Sequence, residues 1–403
     1  GAATAYELSR RGARVTLVER WRVAGAASGK SGGFLARDWC RGTPVAPLAE
    51  RSFDLHAQWA ERLGERYGYR RVDTVATGLS ERRRLGSARN SALASWLAPE
   101  AARRDLIGDA DTTAQLDPKA FTVALVDAAK ANGAELRIAT VDGIRLSSGD
   151  ARVDGVLLAD GSDIAADAVV IAMGPWSVLA AQWLPLPPIY GLKGHSVVFR
   201  PSAAFPAETV FAEFEDADGD VLGPEIVPRP DGTLYVCGLP GHAPLPVDPA
   251  DVAPEPGACE RLRRVSERLV PALASAELLA SQACYRPIAA DGIPIIGPIP
   301  AVAGAYVATG HSVWGMLNAP GTAEALAELL LDGCTTHVPL DAFSPPRLPP
   351  PVAGVFSSDP RRGGSPGANA KTKPRAGRAC RPPPNGDALL PPGRKDRCRR
   401  RAR

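Results

Sequence analysis

The sequence lacks several features that would point to particular classes of protein. It has no run of about 18 uninterrupted apolar residues, so we expect no membrane-spanning helix. Its seven cysteines form no CxxC pair and no cluster with the five histidines, which argues against a zinc site and leads us to expect no bound metal. An odd, scattered set of cysteines is typical of reduced thiols, so we expect a cytoplasmic protein.

Basic charge is concentrated at one end of the chain. Residues 347–403 hold fifteen Lys and Arg against three Asp and Glu, whereas residues 1–346 hold 32 basic and 41 acidic residues. The body is therefore mildly acidic, and we expect no nucleic-acid partner. Residues 347–403 also contain eleven prolines and one aromatic residue, too little apolar surface to offset the entropy of ordering. We predict a disordered tail, either inert or acting as an anionic-surface or localisation segment.

The first twenty residues predict a helix, a tight turn and a buried strand. Residues 1–11 are rich in helix formers, Gly12 ends the helix, and residues 13–20 form a β-branched, apolar run. This order is that of the second half of a Rossmann βαβ unit, in which an acidic residue after the second strand binds ribose. Glu19 occupies that position, eighteen residues after Gly1, although an ordinary strand-end carboxylate would look the same.

A loop rich in small residues follows this strand. Its SGKSGG segment, residues 28–33, has the composition of a loop whose backbone N–H groups cradle phosphates. A flexible surface turn has the same composition, but the position directly after a nucleotide-type strand favours cofactor contact. An acidic rather than a basic residue at the end of that strand favours a free ribose hydroxyl, as in FAD or NAD, over NADP.

The rest of the chain alternates α/β segments with a strand-rich stretch. Residues 185–284 alternate short strands with Pro and Gly turns, which predicts an antiparallel sheet. A buried strand is predicted over residues 168–173. Further helices are predicted over residues 45–68, 88–106, 117–134, 258–269 and 321–331.

Five segments, in this order, carry a family resemblance. Their sequences are GAATAYELSRRGARVTLVER, AASGKSGGFLA, DAVVIAMGPWS, CYRPIAADGIPIIG and ATGHSVWGMLNAPGTA. Together they resemble the FAD-dependent oxidoreductases of the D-amino-acid-oxidase type, which include glycine oxidase and sarcosine oxidase, over residues 1–346. The resemblance implies an α/β (α+β) fold. It has an FAD-binding Rossmann-like domain, about residues 1–40, 115–180 and 285–346, and an inserted antiparallel-sheet substrate domain, about residues 41–114 and 181–284.

The resemblance also implies which residues do the chemistry. Arg286 matches an arginine that clamps the substrate carboxylate in several members, although an arginine paired with a structural carboxylate is the alternative. The implied reaction oxidises the C–N bond of an amine or amino acid by hydride transfer to flavin N5, and O₂ or another acceptor then takes the electrons. The residues that match FAD contacts are Gly1, Glu19, Arg20, Ser28, Gly29, Ser31, Gly32, Gly33, Val141, Ala172, Gly174, Gly310, His311, Gly315 and Met316.

Three further residues have two interpretations each. Lys193 and His195 either face the substrate cavity or belong to a solvated strand face, and we favour the solvated face. Cys284 stands where some sarcosine oxidases attach flavin covalently, but a free, buried thiol is the favoured interpretation.

Other classes of function stay open beside the amine oxidase. One is a non-catalytic or weakly catalytic protein that keeps the FAD fold and acts in protein trafficking or assembly, because fold does not dictate function. Another is a flavoenzyme with a different donor, such as a hydroxy acid. A nicotinamide-dependent dehydrogenase is disfavoured, because no second Rossmann fingerprint is seen.

The resemblance places Gly1 at the last glycine of the pyrophosphate-binding motif, so we expect the sequence to begin part-way through that motif. A protein extended upstream by about ten residues, enough for one strand and the first two glycines, should retain more FAD. Flavin absorbance per mole of purified protein, before and after denaturation, measures this. Equal flavin content in the two proteins would contradict it.

Overall fold

The computed structural model describes residues 1–86, 92–147 and 151–349. The predicted disordered tail lies, from residue 350 onward, outside the described residues. Within the described ranges the α-helices are Ala2–Arg10 (α1), Ala27–Lys30 (α2), Ala46–Leu63 (α3), Pro118–Ala131 (α4), Ala258–Leu269 (α5) and Gly315–Asp332 (α6).

Nineteen strands are found in the same described ranges. They are Thr16–Glu19 (β1), Phe34–Ala36 (β2), Arg70–Arg71 (β3), Asp73–Ser80 (β4), Ala102–Gly108 (β5), Thr113–Gln115 (β6), Glu135–Ile138 (β7), Val141–Leu146 (β8), Val153–Leu158 (β9), Asp163–Ala165 (β10), Val169–Ile171 (β11), Ile189–Arg200 (β12), Glu208–Glu215 (β13), Val221–Leu222 (β14), Glu225–Pro228 (β15), Leu234–Gly241 (β16), Glu277–Ala289 (β17), Ile295–Pro298 (β18) and Ala305–Thr309 (β19).

The mixed α/β fold class predicted from the sequence is confirmed. The opening helix and strand form α1 and β1, and β1 pairs in parallel with β7, as in a βαβ unit. The predicted helices at 45–68, 117–134 and 258–269 are confirmed as α3, α4 and α5. Helices α1, α3, α4 and α6 share one apolar core, in which Tyr6 and Trp59 meet edge to face at 5.1 Å.

The strand-rich stretch forms most of an eight-stranded sheet. Its order is β17-β12-β16-β15-β13-β4-β5, with β14 paired to β13. The sheet is antiparallel except where β13 runs parallel to β4. Helix α5 packs its apolar residues, among them Leu262 and Val265, against one face of this sheet. The opposite face is left for other contacts.

Two predicted helix boundaries are wrong. Residues 102–106 of the predicted helix 88–106 lie in the edge strand β5, which pairs with β4, and residues 88–91 of that prediction lie outside the described residues. Pairing along a sheet edge outweighs the helix propensity of this Ala- and Arg-rich stretch. The last helix begins at Gly315 rather than at residue 321, and it contains Pro320.

His56 explains why α6 tolerates a proline. Pro320 has no backbone N–H, so the carbonyl of Met316 loses its helical partner. The His56 Nε2, reaching across from α3, lies 3.0 Å from the Met316 oxygen and 3.1 Å from the Leu317 oxygen, and it therefore donates to both. His56 is fully buried, and burial lowers its pKa to about 4. A neutral imidazole thus completes the start of α6.

We expect the neutral His56 to make stability depend on pH. Unfolded His56 binds a proton as the pH falls below about 6.5, whereas folded His56 resists protonation down to about 4. The unfolded state therefore binds more protons in this window, and the free energy of unfolding falls, by on the order of 3 kcal/mol from this group. Urea unfolding between pH 7 and 4.5 measures the fall. In His56→Gln it should be shallower, and parallel profiles would contradict the assignment.

Candidate active site

Two parallel strands bring predicted cofactor contacts to one edge. Strands β11 and β19 pair in parallel, so their carboxyl ends, residues 172–174 and 310–311, meet. Gly1, which precedes α1, packs here, because a Cβ placed on it would stand 3.6 Å from the Ala172 Cβ. Gly174 has a φ of +55° with open space where a side chain would be. This edge offers close backbone approach to a ligand.

Glu19 ends β1 near the same place. Its carboxylate accepts a hydrogen bond from the Trp21 backbone N–H at 3.0 Å, and burial raises its pKa. The Ala139 N–H donates to the Glu19 carbonyl at 2.9 Å, which carries the chain towards Val141 at the start of β8. Arg20 points elsewhere, since its guanidinium forms an ion pair at 3.8 Å with a partly exposed aspartate, Asp248.

The glycine loop, residues 24–33, is held from several sides. It includes α2 and joins β1 to β2. Its backbone and one side chain are fixed by four hydrogen bonds to α4 and to the eight-stranded sheet with its turns. They are Thr122 Oγ1 to Ser28 O (3.3 Å), Tyr235 Oη to Lys30 O (2.9 Å), Arg229 Nη2 to Ser31 O (3.1 Å) and Lys30 Nζ to Ala283 O (3.1 Å).

Three glycines let this loop pack closely. A Cβ on Gly29 would stand 2.0 Å from the Ala24 carbonyl oxygen, and one on Gly33 would stand 2.0 Å from the Leu116 carbonyl oxygen. A Cβ on Gly32 would press on an aromatic ring of β16 at 3.1 Å. The loop is therefore an ordered segment that is packed between α4 and the eight-stranded sheet. It is not the flexible surface turn that was the alternative interpretation of its sequence.

The segment before α6 supplies the other predicted flavin contacts. Gly310 has a φ of +77°, and His311 follows with its Nε2 3.0 Å from the Thr322 Oγ1. Burial lowers the pKa of His311 to about 4, so its ring is neutral near pH 7. Gly315 and Met316 form the first turn of α6, whose N-terminal N–H groups suit partial negative charge on a ligand.

Arg286 lies on the face of the eight-stranded sheet that is turned away from α5. It pairs with Leu192 across β12 and β17, and its Nη2 stands 3.6 Å from where a Cβ of Gly194 would be. Arg286 is half-buried, its charge interacts with that of Glu225, and among the described residues it has no hydrogen-bond or ion-pair partner. A half-buried guanidinium without such a partner is suited to bind a carboxylate ligand.

Sequence reasoning missed two of the neighbours of Arg286, Glu225 and Cys237. Glu225, Cys237 and Cys284 lie on the same face, which we term the polar sheet face; Cys284 is a free cysteine. The strands were visible as alternating patterns, but which side chains share a face depends on the pairing register.

An aromatic wall was missed in the same way. It consists of Phe34, Trp39, Phe211 and Trp314, whose ring centroids are 4.9–6.2 Å from their neighbours. Phe211 lies directly opposite Glu225 in the sheet. Only the strand patterns around Phe34 and Phe211 are visible in the sequence, because the wall joins residues far apart in the chain.

Lys193 and His195 correct our expectation of a solvated strand face. They are 6% and 2% exposed, and they lie on the face opposite Arg286, since alternate side chains of a strand point to opposite sides. The His195 Nδ1 donates to the Leu239 carbonyl at 2.7 Å, and its Nε2 accepts from the Glu255 N–H at 3.1 Å. They therefore anchor a loop and do not face the site.

One group of potential metal ligands is found among the described residues. Glu324, Glu328 and His337 present ligand atoms within 4.8 Å of one another. Arg51 forms a two-pronged ion pair with Glu324 at 2.6–2.7 Å, and the His337 Nδ1 lies 2.5 Å from Glu328. These carboxylates are balanced by the protein's own groups, and the absence of a metal stays a prediction. Among the described residues, no helix is both long and apolar enough to cross a bilayer.

Comparisons with known proteins agree with this geometry. The family model DAO, described as FAD dependent oxidoreductase, matches residues 1–329. The Schizosaccharomyces pombe protein named "Putative oxidoreductase C1F5.03c" is 29% identical over 355 residues, covering 82% of this chain and 90% of that protein. Glycine oxidase of Geobacillus kaustophilus is also 29% identical, over 361 residues, with the same two coverages. A crystal structure of glycine oxidase from Geobacillus kaustophilus superposes with a TM-score of 0.72 over 86% of this chain and 95% of its own.

The residues at this site fit FAD, the cofactor of these proteins. The Ser31 Oγ and the Trp39 Nε1 are buried, and neither has a hydrogen-bond partner among the described residues, so each is free to meet a ligand atom. The backbone at Gly1, Gly174 and Gly310 presents no side chain towards the strand ends. The specific contact of each residue with FAD stays a prediction.

We expect Gly33→Ala to lower the FAD content of the purified protein by about tenfold, because the new Cβ meets a backbone oxygen at 2.0 Å and displaces the glycine loop. Gly42→Ala is the matched control: Gly42 has a φ of +82° against +81° at Gly33, but open space beside it. Flavin released on denaturation measures the content. Equal losses in both variants would contradict a role for the loop itself.

Proposed function

We propose, because the chain belongs to the DAO family of FAD-dependent oxidoreductases, that it oxidises the C–N bond of an amine or amino acid. The observation that carries this proposal is the half-buried guanidinium of Arg286, which has no hydrogen-bond or ion-pair partner among the described residues. A structural arginine that is withdrawn from water would be expected to hold a carboxylate of the protein. An arginine that binds substrate is instead left without a protein carboxylate, so that the carboxylate of the substrate can pair with it.

The two predicted parts of the fold would have different roles, cofactor binding and substrate binding. We propose that residues 1–40, 115–180 and 285–346 bind FAD and that residues 41–114 and 181–284 shape the substrate cavity, with Arg286 on β17 near the boundary. FAD held by these segments would supply the acceptor for the hydride that leaves the substrate α-carbon, and water would then release the product from the oxidised C–N bond. O₂ or another acceptor then takes up the electrons.

The residues of this chain orient the substrate and keep water away. The planar fork of Arg286 binds a carboxylate through two parallel hydrogen bonds, which fixes the α-carbon relative to the sheet. The aromatic wall presents ring surface next to the polar sheet face, so that charged groups there interact in a poorly hydrated space. A neutral His311 at the start of α6 adds no positive charge that would repel a cationic amine.

The relatives support an enzyme rather than a trafficking protein, since glycine oxidase is among them over most of both chains. A hydroxy-acid donor would use the same arginine, and no observation in the structure favours it over an amine.

We expect Arg286→Gln to lower the efficiency of flavin reduction by an amino acid about 100-fold, because a buried two-pronged contact with the carboxylate is lost. The measurement is the rate of flavin bleaching under anaerobic conditions against a panel of amino acids, amines and hydroxy acids. Flavin content should stay unchanged. The matched control is Arg200→Gln, which changes an exposed arginine on β12 whose ion-pair partner among the described residues is the exposed Glu277.

Two results would count against the proposal in different ways. Unchanged efficiency in Arg286→Gln would remove the arginine from substrate binding. Bleaching by hydroxy acids alone, or by none of the panel, would reject C–N bond oxidation itself.

A further inference from the structure

Glu225 is placed to meet the same ligand as Arg286. It begins β15, opposite Cys237 of β16, and Cys237 in turn lies opposite Ser196 of β12. Arg286 lies opposite Leu192, four residues before Ser196 on the same strand and thus on the same side. The two charged groups therefore share the polar sheet face and sense each other's charge, although no ion pair joins them.

The surroundings of Glu225 leave its carboxylate poorly compensated. Among the described residues its hydrogen-bond partner is the Cys237 thiol, at 3.5 Å, which is a weak donor. Burial raises the pKa of Glu225, and the charge of Arg286 opposes that rise. Other enclosed acids are better satisfied: Glu324 has a two-pronged ion pair, and Glu208 accepts from the Trp96 indole at 2.8 Å. A carboxylate left in this state destabilises the fold unless a ligand pairs with it.

The aromatic wall provides ring faces beside Glu225 that could contact a cation. Phe211 lies directly opposite Glu225 and meets Phe34 at 5.0 Å and Trp39 at 4.9 Å. The faces of such rings attract ammonium and guanidinium groups, and the attraction grows where water is displaced. The rings and the carboxylate thus favour the same kind of ligand group.

We propose that the preferred substrate is an amino acid with a cationic side chain, such as a diamino carboxylic acid. Arg286 binds its carboxylate, and Glu225 with the aromatic wall binds the distal cation. This inference rests on the proposed function and narrows its substrate class. The sheet register keeps these two opposite charges apart, and a substrate with a charge of each sign would bridge them.

The test compares substrates that differ only in the distal charge. Full-length, FAD-loaded protein is mixed anaerobically with ornithine or lysine, and with norvaline or norleucine, in both enantiomers. We expect cationic substrates to bleach the flavin with at least about tenfold higher efficiency than neutral ones of equal backbone, the size of effect that one charge-assisted contact supplies. Glu225→Gln should abolish most of this preference by lowering the efficiency with cationic substrates far more than the efficiency with neutral ones.

Controls separate specificity from folding. Glu225→Asp keeps the charge and should keep part of the preference, and Glu213→Gln, an exposed acid on neighbouring β13, should behave as the unchanged protein. Equal efficiencies for lysine and norleucine in the unchanged protein would overturn the inference whatever the variants do. So would an equal slowing of all substrates in Glu225→Gln, which would assign the carboxylate to the α-amine. In both cases amino acids still bleach the flavin, and the proposed function stands; bleaching by none of them overturns both.

Discussion

The close packing of the glycine loop is the constraint on which the rest of the site depends. Gly29 and Gly33 bring the loop backbone so near to other carbonyl groups that no side chain fits at either position. The loop is thereby fixed to α4 on one side and to the eight-stranded sheet on the other. The predicted cofactor-binding segments and the polar sheet face are held in position by these contacts, which tolerate little displacement. The loop therefore sets how these two parts of the candidate site lie relative to each other.

The polar sheet face carries a cost that the rest of the molecule avoids. Most charged pairs among the described residues lie at the surface, where ion pairs contribute little and cost little. Arg286 and Glu225 are instead half-buried on the sheet without an ion pair between them. Opposite charges that attract yet stay apart indicate that the sheet backbone, through its register, sets their separation. Sites that bind charged ligands tightly keep such preorganised, partly uncompensated charges.

Sequence patterns were sufficient where local signals decide structure and insufficient where long-range pairing does. The helices α1, α4 and α5 follow from helix formers bounded by a glycine, a proline or a capping Asp117, whose carboxylate accepts from the Ala120 N–H at 2.7 Å. The start of α6 was missed because Pro320 normally breaks a helix, and the compensating His56 lies about 260 positions earlier in the chain.

The residues of the candidate site were likewise predictable from local sequence in some cases and not in others. Arg286 and the glycine-rich segments could be identified because they occur in characteristic local sequences, whereas Glu225 and the aromatic wall could not. Their strands are recognisable, but the sequence does not state that Phe211 pairs with Glu225 or Glu225 with Cys237. A shift of one residue in register would move each of these side chains to the α5 face. Register is fixed by the whole sheet, so the site becomes visible only once the sheet is assembled.

Strands β12 and β17 show how structure and function are separated within one element. On one side, His195 and Tyr285 hydrogen-bond to residues of the segment 239–255, and Lys193 forms an ion pair with Glu255 at 3.9 Å. On the other side, Arg286 and Cys284 face the site. Because side chains alternate along a strand, adjacent residues can have different roles. Those on one face make hydrogen bonds that stabilise the fold, and those on the other face keep an unpaired charge. The first face can supply the rigidity that keeps the second from relaxing into an ion pair, and the chemistry of the site depends on that rigidity.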